Sequence, residues 1–299
     1  MRNLYELESE LPELTRPVLL HSLDGFMDAG SVGQLLREHI LETLDHRVIA
    51  RFDVDELIDY RARRPVMTYD EDRWASYEAP ELVVHLVHDQ VGSPFLLFTG
   101  PEPDRLWEGF TAAVRSLIER LGVGLTVGFH GVPMGVPHTR PVGLSAHGTR
   151  PELITKSSWF GTVKVPGSAA ALLEMRLGEA GHDALGFAVH VPHYLAQSDY
   201  PAAAVAALDA VVTATGLVIP TDALREAAAK ANAEIAEQVA GSDEVEKVVR
   251  ALEQQYDAFA GAAGRESLLA QERDMPTAEE LGAEFERFLA EQDGSDPQP

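Results

Sequence analysis

The stretch Pro17-Val-Leu-Leu-His-Ser-Leu-Asp24-Gly25-Phe-Met-Asp28-Ala-Gly30-Ser31 decides the fold class. Its opening residues form a short, largely apolar run with the composition of a buried strand, and Asp24-Gly25 ends it. From Gly30-Ser31 the period changes: Val32, Leu35, Leu36, Ile40 and Leu44 are spaced for one helix face. A strand that passes through a short polar loop into an amphipathic helix is the opening of an α/β chain.

The same alternation continues outward. Val48–Phe52 reads as the next strand, and Leu82–His88 alternates. A turn around Val91-Gly-Ser-Pro separates that run from Phe95–Phe98, so the two pair as a hairpin or lie as neighbouring strands. Asp104 is placed to cap a helix over 105–121 that turns Trp107, Phe110, Val114, Leu117, Ile118 and Leu121 inward, with Gly122 as its stop. Leu125–His130 follows as a strand and leads into a Gly/Pro-rich loop. Residues 168–177 read as a helix, 184–191 as a strand and 200–215 as a helix. This order predicts an α/β domain over residues 1–220, its largely parallel central sheet flanked by helices on both faces.

Residues 221–292 predict a helical extension. Thr221 heads a helix carrying Leu224, Ala228, Ala231, Ile235 and Val239, and Gly241 ends it. Ser242-Asp243-Glu244 starts a second, with Val245, Val249, Leu252, Tyr256 and Phe259 at near-heptad spacing, so the two are expected to form an α-helical hairpin. A capping box at Thr277 announces a third helix burying Leu281, Phe285 and Leu289. The polar end, 293–299, is expected to be frayed.

Composition excludes several classes of function. The 299 residues contain no cysteine, which removes disulfides, thiol nucleophiles and Cys-ligated metal sites. A net charge of −24 opposes any broad surface for nucleic acid or anionic membrane. Half of that excess lies after Thr221, where 19 acidic residues face 7 basic ones, and it reads as solvated helix surface. The N-terminus is too polar for a signal peptide, and no run approaches the ~18 apolar residues of a membrane span. A cytoplasmic protein is expected.

Four loops at strand ends carry the candidate chemistry, since open parallel sheets bind ligands at the carboxyl ends of their strands. In the first, Asp24 and Asp28 offer an acid/base pair or a polar binding site, or else cap backbone N–H groups in a turn. The second, Gly128-Phe-His-Gly-Val-Pro-Met-Gly-Val-Pro-His-Thr-Arg-Pro141, presents His130, His138 and Arg140 on a stiff backbone, the means of gripping a carboxylate or phosphate. Its alternative is a loop shaped for packing or subunit contact. Histidines eight apart on a loop lack helical ligand spacing, so no metal site is expected. In the third, Ser168 lacks the second glycine of a nucleophile elbow and reads as a helix cap. In the fourth, His193, Tyr194 and Asp199 face a cleft, or Ser198 or Asp199 caps the next helix. No dinucleotide fingerprint or phosphate loop occurs, and no cofactor is implied.

Leu19-Leu-His-Ser-Leu-Asp-Gly-Phe-Met-Asp-Ala-Gly30 resembles the N-terminal strand and Gly-Trp/Phe-x-Asp-Ala-Gly loop of the PAC2 (proteasome assembly chaperone 2-like) family. Gly128-Phe-His-Gly-Val-Pro, His147-Gly-Thr-Arg, Gly167-Ser-Ala-Ala-Ala-Leu-Leu and Val191-Pro-His-Tyr resemble its later segments, in the same order over residues 17–235. The resemblance implies a phosphorylase/hydrolase-like α/β fold with a mixed central sheet, a homo-oligomer such as a trimer, and an actinobacterial branch for the acidic tail. It carries over no catalytic residues. The leading expectation is therefore a non-catalytic, chaperone-like or scaffolding protein that binds a protein partner, proteasome-related, or itself. The alternative is a small-molecule-binding enzyme whose pocket gathers Asp24, Asp28, His130, His138, Arg140 and His193.

Overall fold

The computed structural model describes residues 4–25, 27–154 and 162–263. Residues through Gln254 form one compact unit, and Gln255 onward belong to a second. The elements in chain order are β1 (Tyr5–Leu7), β2 (Val18–Asp24), α1 (Val32–Thr43), β3 (His46–Phe52), the short α2 (Val54–Leu57), β4 (Met67–Asp70), β5 (Arg73–Tyr77), β6 (Val83–His88), β7 (Pro94–Pro101), α3 (Trp107–Leu121), β8 (Leu125–Met134), β9 (Leu144–Gly148), α4 (Ala169–Glu179), β10 (Ala184–Pro192), α5 (Pro201–Thr215), α6 (Asp222–Ala240) and α7 (Asp243–Ala263).

Eight strands form one mixed sheet in the order β1-β3-β6-β7-β2-β8-β10-β9. Its centre, β7-β2-β8-β10, is parallel, and the pairings on either side are antiparallel. The sheet is thus less parallel than strand–helix alternation alone predicts. The reason is local: β6 and β7 are joined by a tight turn in which the Asp89 carboxylate accepts from Val91 and Ser93 N–H, with Gly92 at φ +84°. A turn that short returns the chain antiparallel and leaves no room for a crossover helix.

Alternation along the central strands divides the core in two. Leu20, Phe95, Leu97, Val127 and Val189 face α1 and α5, where Val32, Leu36, Ile40, Ala204 and Leu208 close over them. Leu19, Leu96 and Phe98 face the opposite way, onto Phe110, Val114 and Leu117 of α3 and Leu173 and Leu177 of α4. Phe98 stacks on Phe110 at 6.0 Å between ring centroids. With both faces covered, the strands read as continuous apolar runs, which is why they were legible.

Several sequence expectations change in detail. α3 starts at Trp107, and Asp104 is not its cap: its carboxylate accepts from Asp59 N–H and pairs with Arg63. The strand expected over 125–130 continues to Met134, because its backbone stays paired with β10 as far as Met134 opposite Pro192. Ser168 caps α4 as expected, its Oγ accepting from Ala171 N–H at 3.1 Å. The two C-terminal helices are present and are separated by Gly241 and Ser242. α6 packs on α5, with Leu224 joining the core there and Arg225 paired to Asp209 at 2.7 Å. The third helix expected at Thr277 and the end at 293–299 lie outside the described residues.

β4 and β5 form a separate two-stranded hairpin, all nine strand residues of which are exposed. No helix among the described residues is long and apolar enough to cross a membrane.

Candidate functional site

The loop between β2 and α1 is fixed by the side chain of Asp28. Its carboxylate accepts from Gly33 N–H at 2.9 Å, Gln34 N–H at 3.2 Å and Gly131 N–H at 3.0 Å, the last on β8. It therefore satisfies the open N–H groups at the start of α1 and ties that start to the sheet. The approach is too close for side chains: a Cβ on Gly131 would stand 1.9 Å from the Ala29 carbonyl oxygen, and one on Gly33 would stand 2.1 Å from Ser22 Oγ. Gly30 takes a left-handed φ of +68° so that its N–H reaches Ala196 O and its carbonyl receives Tyr200 N–H.

Asp24, at the carboxyl end of β2, pairs with Arg37. Arg37 comes from α1, is nearly buried, and also donates to the Ser22 carbonyl at 2.8 Å. Arg63 donates to the Asp24 carbonyl and to Asp104, each at 2.8 Å. Glu102, one residue past β7, is 7% exposed and accepts from Ala169 N–H at 2.6 Å, at the start of α4. Asp24, Gly25, Asp28, Ser31, Gln34, Arg63, Pro101 and Glu102 line one cleft of about 560 Å³.

His130 belongs to a different place. His21, Gly128, Gly186 and His147 stand in register across β2, β8, β10 and β9. The two glycines clear the floor: a Cβ on Gly128 would fall 2.7 Å from the His21 ring, and one on Gly186 would fall 2.0 Å from the His147 ring. His130 is two residues beyond Gly128 on the same face, and Glu174 of α4 accepts from or pairs with His147 Nδ1 at 2.9 Å. Burial pushes His21 down to about 4, partly offset by Glu174, and burial likewise lowers His130. Both rings are accordingly neutral at pH 7.

The remaining candidates lie beyond the carboxyl ends of β8 and β10. Tyr194 Oη bonds the backbone N–H and Nδ1 of His138 at 2.9 and 2.8 Å, and the His193 ring stands edge-on to Tyr194 at 5.4 Å. Burial lowers the pKa of His138 and raises that of Tyr194. Arg140 pairs with Glu253 of α7 at 3.2 Å, and Thr139 bonds the same carboxylate. The six sequence candidates are thus distributed: Asp24 and Asp28 share the cleft, His130 lies beside His147 and within electrostatic reach of Asp28, His138 and His193 flank Tyr194, and Arg140 pairs with Glu253. Among the described residues no group of three or more His, Asp or Glu is arranged to hold a metal ion.

Sequence reasoning passed over Arg37, Arg63 and Glu102, and read Asp104 as a helix cap. Arg37 had a signal, a charged residue between the inward positions Leu36 and Ile40 of an amphipathic helix. Glu102 had another, a carboxylate directly after the apolar run of β7. Arg63 and Asp104 are 41 residues apart and meet only in the fold.

An α/β sheet with this strand order and this interlocked β2–α1 loop defines a class. The PAC2 family profile matches residues 22–239, and the chain belongs to the PAC2 family. It is similar to a Mycobacterium tuberculosis protein of unknown function, with 49% identity and a TM-score of 0.83 over 88% of this chain and 93% of that one. A Corynebacterium glutamicum protein of unknown function is 40% identical, with a TM-score of 0.82 over 86% and 98% of the two chains. A proteasome-assembly chaperone homologue of M. tuberculosis shares the fold, with a TM-score of 0.71 over 78% and 99% of the chains at 23% identity. No curated protein matches the chain.

Proposed function

We propose that this chain is a non-catalytic, chaperone-like scaffold that binds a protein partner through the β4–β5 hairpin. The carrying observation is the hairpin's exposed aromatic face. Met67 pairs with Tyr77 and Tyr69 with Trp74, and these four are 47%, 50%, 58% and 64% exposed. Tyr69 and Trp74 pack edge to face at 5.2 Å, so the face is ordered before anything covers it. A two-stranded hairpin is marginal by itself in water, and aromatic residues concentrate where protein interfaces form. The distribution of the candidate polar residues supports the same reading, because Asp28 is consumed as a cap and Arg140 is paired with Glu253. The partner class that fits best is a proteasome core subunit, supported by family membership and by the shared fold of the M. tuberculosis chaperone homologue.

The test is size-exclusion chromatography of the purified chain mixed with the proteasome core subunits of its own source, for wild type and for Tyr69→Ala/Trp74→Ala. Wild type is expected to co-elute stoichiometrically and the double variant to elute alone. If wild type only associates with itself at physiological salt, the reading fails.

A further inference from the structure

The cleft between β2 and β7 carries an inference beyond the protein-binding reading, and it stands whether or not that reading does. β2 and β7 are adjacent and parallel, yet their connections leave in opposite directions. β2 feeds α1, on the face shared with α5, and β7 feeds α3, on the face shared with α4. Two neighbouring strands whose connections diverge at their carboxyl ends create a crevice, the topological switch point at which open α/β sheets bind ligands. The cleft lies there, lined by the strand ends Asp24-Gly25 and Pro101-Glu102, and its volume of about 560 Å³ is in the small-molecule range.

The lining decides the ligand's chemistry. Several donors that would hold an anion are already engaged: Gly33 and Gln34 N–H at the start of α1 bond Asp28, and Arg63 gives one N–H to the Asp24 carbonyl and one to Asp104. Acceptors are what remain. Among the described residues, Asp24 uses Oδ1 on Arg37 and keeps Oδ2, the Gln34 amide nitrogen is held by Glu38 while its oxygen is open, and Ser31 adds a hydroxyl. Three carboxylates among the described residues line the cleft against one guanidinium, that of Arg63, with Arg37 paired to Asp24 from α1. We propose that this switch-point cleft binds a small organic cation with N–H donors, an amine or a guanidinium compound, held by Asp24, Gln34 and Ser31.

Putrescine and methylguanidine are suitable probes, with tetramethylammonium as a cation that has no N–H and phosphate as the anion. Thermal unfolding and calorimetry of the full chain at fixed ionic strength read the result. A dose-dependent rise in Tm of about 2–4 °C is expected with putrescine or methylguanidine and none with the two controls. Asp24→Asn is expected to weaken Kd at least tenfold and Gln34→Leu severalfold, each shift referred to the variant's own unliganded Tm. Gln34 is exposed and among the described residues its side chain bonds only Glu38, so that variant folds even where Asp24→Asn disturbs Arg37. An equal shift with tetramethylammonium, a shift with phosphate alone, no shift at millimolar probe, or unchanged Kd in both variants overturns the proposal.

Discussion

At the residue scale, Asp28 carries more of the structure than any other side chain in the site. It bonds three backbone N–H groups from two elements, so Asp28→Ala leaves all three without that acceptor. A loss of about 2–3 kcal/mol is expected in urea unfolding, with Asp28→Asn recovering part of it. Gly131→Ala is expected to cost more, about 3 kcal/mol or above, because the added methyl meets a main-chain carbonyl that cannot turn aside. The sequence showed two aspartates and two glycines between a strand and a helix, which left acid/base work and capping both open. The choice was made by Gly131, about a hundred residues away, whose N–H completes the carboxylate's shell. Pairings over such distances, Arg63 with Asp104 included, depend on the fold and leave no local pattern to read.

At the element scale, the elements that bury an apolar face were legible, and so were α6 and α7, largely exposed but marked by a helical period and by Gly241 between them. β2, β6, β7, β8, β10 and helices α1, α3, α4 and α5 all announced themselves by apolar runs or a helical period. β1 and β9 are short, lie at the two edges of the sheet and were not legible. β4 and β5 escaped for the opposite reason: their aromatic residues mark no core, and the acidic turn Asp70-Glu71-Asp72 resembles any surface loop. That mismatch between composition and burial is the hairpin's signature. Trp74→Ala is expected to change folding stability by less than about 0.5 kcal/mol, since the ring is exposed, while abolishing partner binding. A destabilised variant would instead make Trp74 a packing residue.

At the scale of the whole molecule, buried histidines set the response to acid. His21, His85 and His190 are all pushed down from 6.5 to about 4 by burial. Between those values the unfolded chain binds protons that the folded chain refuses. Stability is therefore complete above pH 6.5 and falls as pH drops towards 4, by up to about 1.4 kcal/mol per pH unit for each histidine. Urea midpoints at pH 7, 6 and 5 measure this slope, and His21→Phe, with its ring kept over Gly128, is expected to flatten it. A midpoint that rises on acidification contradicts the assignment.

The same molecule shows a sealed sheet and a hairpin left uncovered, and the central claim is that the hairpin is where another protein sits. The most direct measurement places a photo-crosslinking amino acid at Trp74 in the full chain, irradiates in the native cell and identifies the adduct by mass spectrometry. The account predicts one dominant adduct with a different polypeptide, a proteasome core subunit foremost, that disappears when Tyr69 is also replaced by Ala. No adduct, or adducts only between copies of this chain, would contradict it.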